Sequence, residues 1–287
     1  MISGQLIVQG LISGLSLGGT YILIGLGLTL ILSVMNIMQF AHGEIYMLGA
    51  FTVYFLAVQH GVPLYAAILI SMITTSVIGL IIERVLLRPL KGRFLNYICV
   101  TTGLSLILQV AVITGFGLAV KQVPNLWPGS FRILDISIAR DRLTALIISL
   151  VLTLVLSIFL KRSKYGLALV ASAQNREGAL LQGINPNLMS ALVVAIGSGL
   201  AAVGGALGGG IFNLDPYMGG TAFLKGITII VIGGMGSVTG TVIGGLILGV
   251  AESLVGTILG SQMASAIPLI MVIIILIVRP KGLFGHD

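Results

Sequence analysis

The sequence predicts an all-α polytopic membrane protein with about eight or nine transmembrane segments, some of them short or broken. Three observations carry this reading. Hydrophobic residues make up 57% of the 287 positions and charged residues only 8%, more apolar surface than a water-soluble core of this length can hide. Runs of about 20 apolar residues, the length that crosses a hydrocarbon layer as a helix, follow one another with short polar breaks. Many of the 40 glycines recur every fourth residue inside those runs, as at Gly10, Gly14 and Gly18, Gly204 and Gly208, Gly240 and Gly244, and Gly245 and Gly249. In lipid such small faces let helix backbones approach closely, and tight packing within the chain is favoured over a subunit interface.

The first apolar run, Leu6 to Val34, follows a start that lacks the basic residues of a cleavable signal and is too long for a signal core, so it is expected to remain as a span. Ile37 to Val58 and Val62 to Leu87 come next, then Leu95 to Leu118, Leu143 to Leu160 and Leu188 to Phe212. The stretch from Phe223 to Leu259 is too long for one span and is interrupted by Gly233, Gly234, Gly236, Ser237 and Gly240. It is read as Phe223 to Ile232 and Thr241 to Leu259, joined by a glycine-rich hairpin near 233–240. A last run, Ala266 to Val278, stops at Arg279-Pro280.

Lysine and arginine in short loops set orientation. Arg84, Arg88, Lys91 and Arg93, then Lys161, Arg162, Lys164 and Arg176, then Arg279 and Lys281 are assigned to the cytoplasm. That leaves one transmembrane domain over residues 1–287 with a cytoplasmic loop at 161–187 and an external loop at 119–142. The external loop also carries Lys121, Arg132, Arg140 and Arg142, offset in part by Asp135 and Asp141. With loop 161–187 and the tail on one side, an even number of crossings must separate them, which requires the glycine break to reverse the chain. Counting back places the N-terminus outside. The net charge of +7 is spread between spans and gathered on no stripe, so nucleic acid is not implied.

Few motifs offer chemistry. Cys99 is the single cysteine, and His42, His60 and His286 are scattered, so no metal cluster is expected. Gly14-Leu-Ser-Leu-Gly18 matches a hydrolase nucleophile turn in letters, but it lies in a continuous apolar run without the strand-to-helix turn that exposes such a serine. Gly234-Met-Gly-Ser-Val-Thr-Gly240 lacks dinucleotide-loop spacing, and no phosphate-binding P-loop occurs, so any ATP must be hydrolysed by a partner. Backbone freed at a helix break inside a membrane is tolerated only beside protein or a water-filled cavity, which makes Gly233, Gly234, Gly236 and Ser237 candidates for lining a pathway.

Asn36, Gln39, His42 and Glu44 form a polar cluster at the start of an apolar run. Either they face a cavity, or Asn36 caps an interfacial helix whose N-terminus favours the acid. Glu252 is read as interfacial. The loop 161–187 is long, and Ala171, Ala173, Ala179, Leu180 and Leu181 recur at helical spacing between Gly166 and Gly183. A short amphipathic helix with nothing in the chain to cover it suits docking on another protein or lying in the lipid interface. Gly178 weakens such a helix by about 1 kcal/mol relative to alanine, so it is expected to be short or ordered on binding. A faint echo links Gly27 to Leu32 with Gly226 to Val231, as inverted transporter repeats do.

Phe40-Ala-His-Gly-Glu44 with Met47-Leu-Gly49, Glu83-Arg84 with Arg88-Pro89, Asn175 through Asn185, Pro216-Tyr217, Gly233-Gly-Met-Gly-Ser237 and Arg279-Pro-Lys-Gly-Leu-Phe-Gly285 together resemble the branched-chain amino acid ABC transporter permease family, LivH-type subunit, in order and spacing over essentially the whole chain. The resemblance implies a permease subunit without its own catalytic site or cofactor, in a bacterial inner membrane. It also implies a LivM-like second permease, LivG-like and LivF-like ATPase subunits that bind ATP and Mg, and a periplasmic substrate-binding protein. The loop residues Ala171, Ala173, Asn175, Glu177, Ala179 and Gly183 would then couple to an ATPase, and Asn36, Gln39, Glu44 and the glycine break would line the pathway. A stand-alone secondary transporter or channel for a small polar or zwitterionic solute, with Glu44 and Glu252 carrying protons, is the competing expectation.

Overall fold

The computed structural model describes residues 4–90, 93–133 and 136–285; the sequence readings at Met1 to Ser3, Lys91, Asp135 and His286 fall outside them. Its helices are α1 (Gly4–Met35), α2 (His42–Tyr54), α3 (Leu64–Ile82), α4 (Phe94–Phe116), α5 (Arg140–Arg162), α6 (Lys164–Gln174), α7 (Arg176–Leu181), α8 (Pro186–Ile211), α9 (Met218–Gly233), α10 (Val238–Leu259) and α11 (Ser261–Val278). A wider π turn extends α2 through Gln59, and π and 3-10 turns extend α3 through Leu90. Loop 117–139 holds an antiparallel hairpin, β1 (Ser130–Ile133) and β2 (Ile136–Ala139).

Seven of these helices, counting α3 through Leu90, are long and apolar enough to cross a membrane, and α9 is a shorter apolar helix. The nine apolar runs therefore become seven full spans and two part-length helices, α2 and α9. The run Ile37 to Val58 is corrected: residues 37–41 are not helical, and the helix begins only at His42. Asn36 does not cap α2. It ends α1 in a left-handed conformation, φ 53°, with its N–H bonded to the Leu32 carbonyl at 2.9 Å, a conformation that asparagine tolerates better than most residues. The last span starts at Ser261, earlier than the apolar run from Ala266.

Burial sorts the spans. In α1 89% and in α8 78% of the apolar stretch is buried inside the chain, against 11% in α4 and α11. A helix apolar all round must sit in the centre, and α1 and α8 do, antiparallel, with Gly27 against Gly197 and Gly204 against Thr20 and Leu23. The chain divides into matching halves around them. α10 packs along α1 as α3 packs along α8, α9 packs on α1 as α2 packs on α8, and α2 meets α9. α1–α3 thus correspond to α8–α10 in inverted direction, and α4 meets α2 as α11 meets α9, but α11 also packs along α10 where α4 does not pack along α3. The sequence echo joins α1 to α9, which hold different places in the two halves, so it is not the trace of this repeat.

The glycine faces pack within the chain. A Cβ on Gly14 would lie 2.6 Å from the Cα of Val250, and one on Gly18 2.9 Å from the Gly245 carbonyl. Only glycine allows α1 and α10 this separation. The break at 233–237 is a true reversal: Gly233 faces Gly240, Ile229 faces Gly244, and Lys225 reaches Glu252.

Candidate functional site

The two part-length helices meet at their N-termini. α2 follows the non-helical segment 37–41, in which the His42 N–H donates to the Gln39 carbonyl at 3.1 Å to close a turn, and α9 follows 212–217; the residues around Gly43 and Gly219 leave no room for a side chain at either position. Glu44, in the first turn of α2, lies against Gly219, where a Cβ would come within 2.6 Å of its Cδ. Its negative charge is therefore near two helix N-termini, which favour an anion. Glu44 Oε1 accepts a hydrogen bond from Ser105 Oγ of α4 at 3.2 Å, while Oε2 has no hydrogen-bond partner among the described residues.

Gln39 and His42 are fully buried, and among the described residues neither the Gln39 amide nor the His42 ring nitrogens make a hydrogen bond of good geometry. The Ile24 carbonyl is near enough to His42 to interact electrostatically without completing that bond. An unsatisfied buried polar group costs about 1–3 kcal/mol. His42 lies against Gly27 of α1, whereas Glu44 lies against Gly219 of α9 and Ser105 of α4, so α2 carries buried polar side chains toward different neighbours. Of the two sequence alternatives for Glu44, the interfacial helix start is the one this geometry disfavours: its residue is 3% exposed and enclosed by α2, α4 and α9.

A second polar cluster was missed in the sequence. Lys225 Nζ of α9 donates to Glu252 Oε1 of α10 at 2.7 Å and to the Tyr21 hydroxyl of α1 at 2.5 Å, and Tyr21 donates to Glu252 Oε2 at 3.0 Å. Glu252 is thus one side of a mostly buried ion pair. The signal was present: a lysine and a glutamate, each costly alone in an apolar segment, on the two arms of a hairpin.

At the end of the bundle where α9 turns into α10, Ser237 Oγ accepts from Gly240 N at 3.0 Å and caps α10. Gly233 and Gly234 are buried beneath the tail, whose Leu283 and Phe284 N–H groups donate to the carbonyls of Ile232 and Gly233 at 2.8 and 3.0 Å. These are carbonyls left free at the end of a helix. Gly234 has φ +99°, and a Cβ there would fall 2.5 Å from Gly285 N. The two glycine-bearing motifs of the sequence are therefore halves of one contact.

A cavity of about 610 Å³ adjoins this turn and brings Asn36, Gly236 and Ser237 together with Ala173 of α6. Gln39 and Glu44 lie apart from it, among the buried groups described above. The loop between α5 and α8 is two helices, not one. Asn175 Oδ1 accepts from Gly178 N at 2.8 Å and starts α7, and a Cβ on Gly178 would sit 3.2 Å from the Asn175 side chain, so the glycine leaves room for the cap. Gly183, φ +77°, ends α7. Glu177 is exposed in the first turn of α7, Ala171 is half-buried and Ala173 is exposed, but Ala179 is 6% exposed and packs inward. The outward residues of α7 are Leu180 and Leu181, 51% and 88% exposed.

Nothing here supports hydrolysis. Ser16 sits in the unbroken α1 with its hydroxyl donated to the Arg142 carbonyl at 2.6 Å. Among the described residues no three His, Cys, Asp or Glu side chains are grouped to hold a metal.

Comparisons with known proteins agree over the full length. A family described as "Branched-chain amino acid transport system / permease component" matches residues 10–276. The high-affinity branched-chain amino acid transport system permease protein BraD of Pseudomonas aeruginosa is 36% identical, the alignment covering 97% of this chain and 96% of BraD. LivH of Escherichia coli, described likewise as a high-affinity branched-chain amino acid transport system permease protein, is 33% identical with the same coverage of both chains. PsaBC from Streptococcus pneumoniae, solved in complex with Fab, shares the fold at a TM-score of 0.54 and 11% identity over 96% of this chain and 92% of that one. The multi-pass helical architecture and the unbroken match from α1 to α11 have one reading: the chain belongs to the branched-chain amino acid transport system permease family.

Proposed function

We propose that this chain is a permease subunit of an ABC importer that carries branched-chain or similar amino acids across the bacterial inner membrane by ATP-driven alternating access. A second permease subunit, two ATPase subunits that bind ATP and Mg, and a periplasmic substrate-binding protein complete the machine. The observation that carries this reading, beyond family membership, is the α6–α7 loop. It sets Leu180 and Leu181 outward on a helix of 6 residues capped at both ends and lying outside the spans. A lone channel or secondary transporter needs no such element, and Glu252, one of its two proton carriers, is held in an ion pair with Lys225.

Docking buries those leucines in a groove of the ATPase subunit, where an added charge is desolvated without a partner at a cost of several kcal/mol. Ala173→Asp and Leu181→Asp are therefore expected to insert normally and to abolish ATP-dependent uptake and substrate-stimulated hydrolysis in the reconstituted complex. Ala179 is unsuitable for this test because it is buried within the chain. Normal coupling in both variants would return the loop to the lipid interface.

A further inference from the structure

We propose that the cleft between the end of α3 and the start of α8 binds the headgroup of an anionic phospholipid. The cleft has a volume of about 480 Å³ and is layered along the helix axis. Val77, Leu80 and Ile81 of α3 and Leu188 of α8 form its apolar upper wall, and all four are exposed. Arg84 and Arg88 form its base, with Asn185 from the turn before α8. Positions 77, 80, 81, 84 and 88 follow helical spacing and share one face of α3 and its extension. The step from Val77 to Arg84 is about 10 Å along the axis, roughly the passage from acyl chain to headgroup at the edge of a bilayer.

Charge selects the ligand. Glu83 is fully buried, and Arg88 neutralises it through two hydrogen bonds of 2.8 and 3.3 Å while also reaching the Asn187 carbonyl at 3.4 Å. Arg84 is exposed and makes no hydrogen bond or ion pair among the described residues. The cleft therefore keeps one net positive charge on a guanidinium, whose planar donors match a phosphate. It lies at the same end of the molecule as Arg93 and Arg176, the end that the lysine and arginine bias assigns to the cytoplasm. Anionic lipids of that leaflet are drawn to such sites, and basic pockets between transmembrane helices hold their headgroups. A soluble anion would gain nothing from the exposed aliphatic wall above the arginines.

The test is lipid retention by the full chain purified in detergent, measured by native mass spectrometry with phosphatidylglycerol and phosphatidylcholine titrated separately. Wild type should hold phosphatidylglycerol more tightly than phosphatidylcholine. Arg84→Gln should weaken phosphatidylglycerol retention roughly fivefold, the size expected of one cation near an anionic headgroup, and leave phosphatidylcholine unchanged. Lys161→Gln, at an exposed cation outside the cleft, should change neither. An unchanged melting temperature of Arg84→Gln in phosphatidylcholine shows that the variant is folded. Equal retention of the two lipids by wild type, or the same loss in Lys161→Gln, overturns the assignment. Unchanged phosphatidylglycerol retention by Arg84→Gln also overturns it.

Discussion

Lys225 is a cation in an apolar helix, flanked by Leu224 and Gly226, and it is tolerated because Glu252 and Tyr21 surround its ammonium. Removing one partner of a buried pair leaves the other charge uncompensated, at about 3–5 kcal/mol, whereas replacing both by apolar residues is close to neutral. Lys225→Met is accordingly expected to lower stability by about that amount, and Lys225→Met with Glu252→Leu to recover most of it, as measured by denaturant unfolding in detergent. A double variant no more stable than the single one would show that the pair is not the source of the cost. Glu44 is a different case, because one carboxylate oxygen has no partner among the described residues. Glu44→Gln keeps an acceptor for Ser105 but loses the charge. Transport by the assembled complex should fall about tenfold or more, the worth of a charge-assisted hydrogen bond, with complex yield unchanged. Full transport would make Glu44 a packing residue.

The hairpin of α9 and α10 is finished by chain far from it in sequence. Leu283→Pro deletes the N–H that bonds the Ile232 carbonyl. It should loosen the turn, seen as faster maleimide labelling of a cysteine at Met235, without changing insertion; an unchanged labelling rate would mean the tail is not needed to hold the turn. The hairpin itself was legible because glycine density and crossing parity both demanded a reversal. The tail contact was not, since two glycine-rich motifs carry no sign that one caps the other. Residues 37–41 were misread as helix for a simpler reason. Hydropathy records that Ile37, Met38 and Phe40 are apolar, and a packed irregular segment needs that as much as a helix does. What separates the two is the left-handed turn at Asn36, a property of one residue that leaves no periodicity. The loop 161–187 was legible as helical, but its division at Asn175 depends on a side-chain cap that composition cannot rank against a continuous helix.

For the molecule as a whole, the arrangement of ends can be checked in cells. In a Cys99→Ala background, cysteines at Trp127 and Leu259, both exposed, should react with a membrane-impermeant maleimide added outside. Cysteines at Leu181 and Met235, also exposed, should react only after the membrane is opened. Labelling of positions 235 and 259 from the same side would contradict the hairpin's depth and the assigned orientation together. The inverted halves were hidden in the sequence because each half is recognised by where its helices pack, and apolar residues of similar size satisfy that packing in many orders. Their interlocking also has a consequence for synthesis. α1 finds its closest glycine partner in α10, so Gly14 must wait for Gly249 to leave the ribosome. At about 5–20 residues per second, that is on the order of ten to fifty seconds. During that interval the central helix of the finished protein stands in the bilayer with its small-residue face against lipid or an insertion factor. Nascent chains stalled before α10 should therefore be crosslinked, through a photoreactive residue in place of Leu17, which packs with Leu248, to something other than this protein, and chains stalled after it to α10.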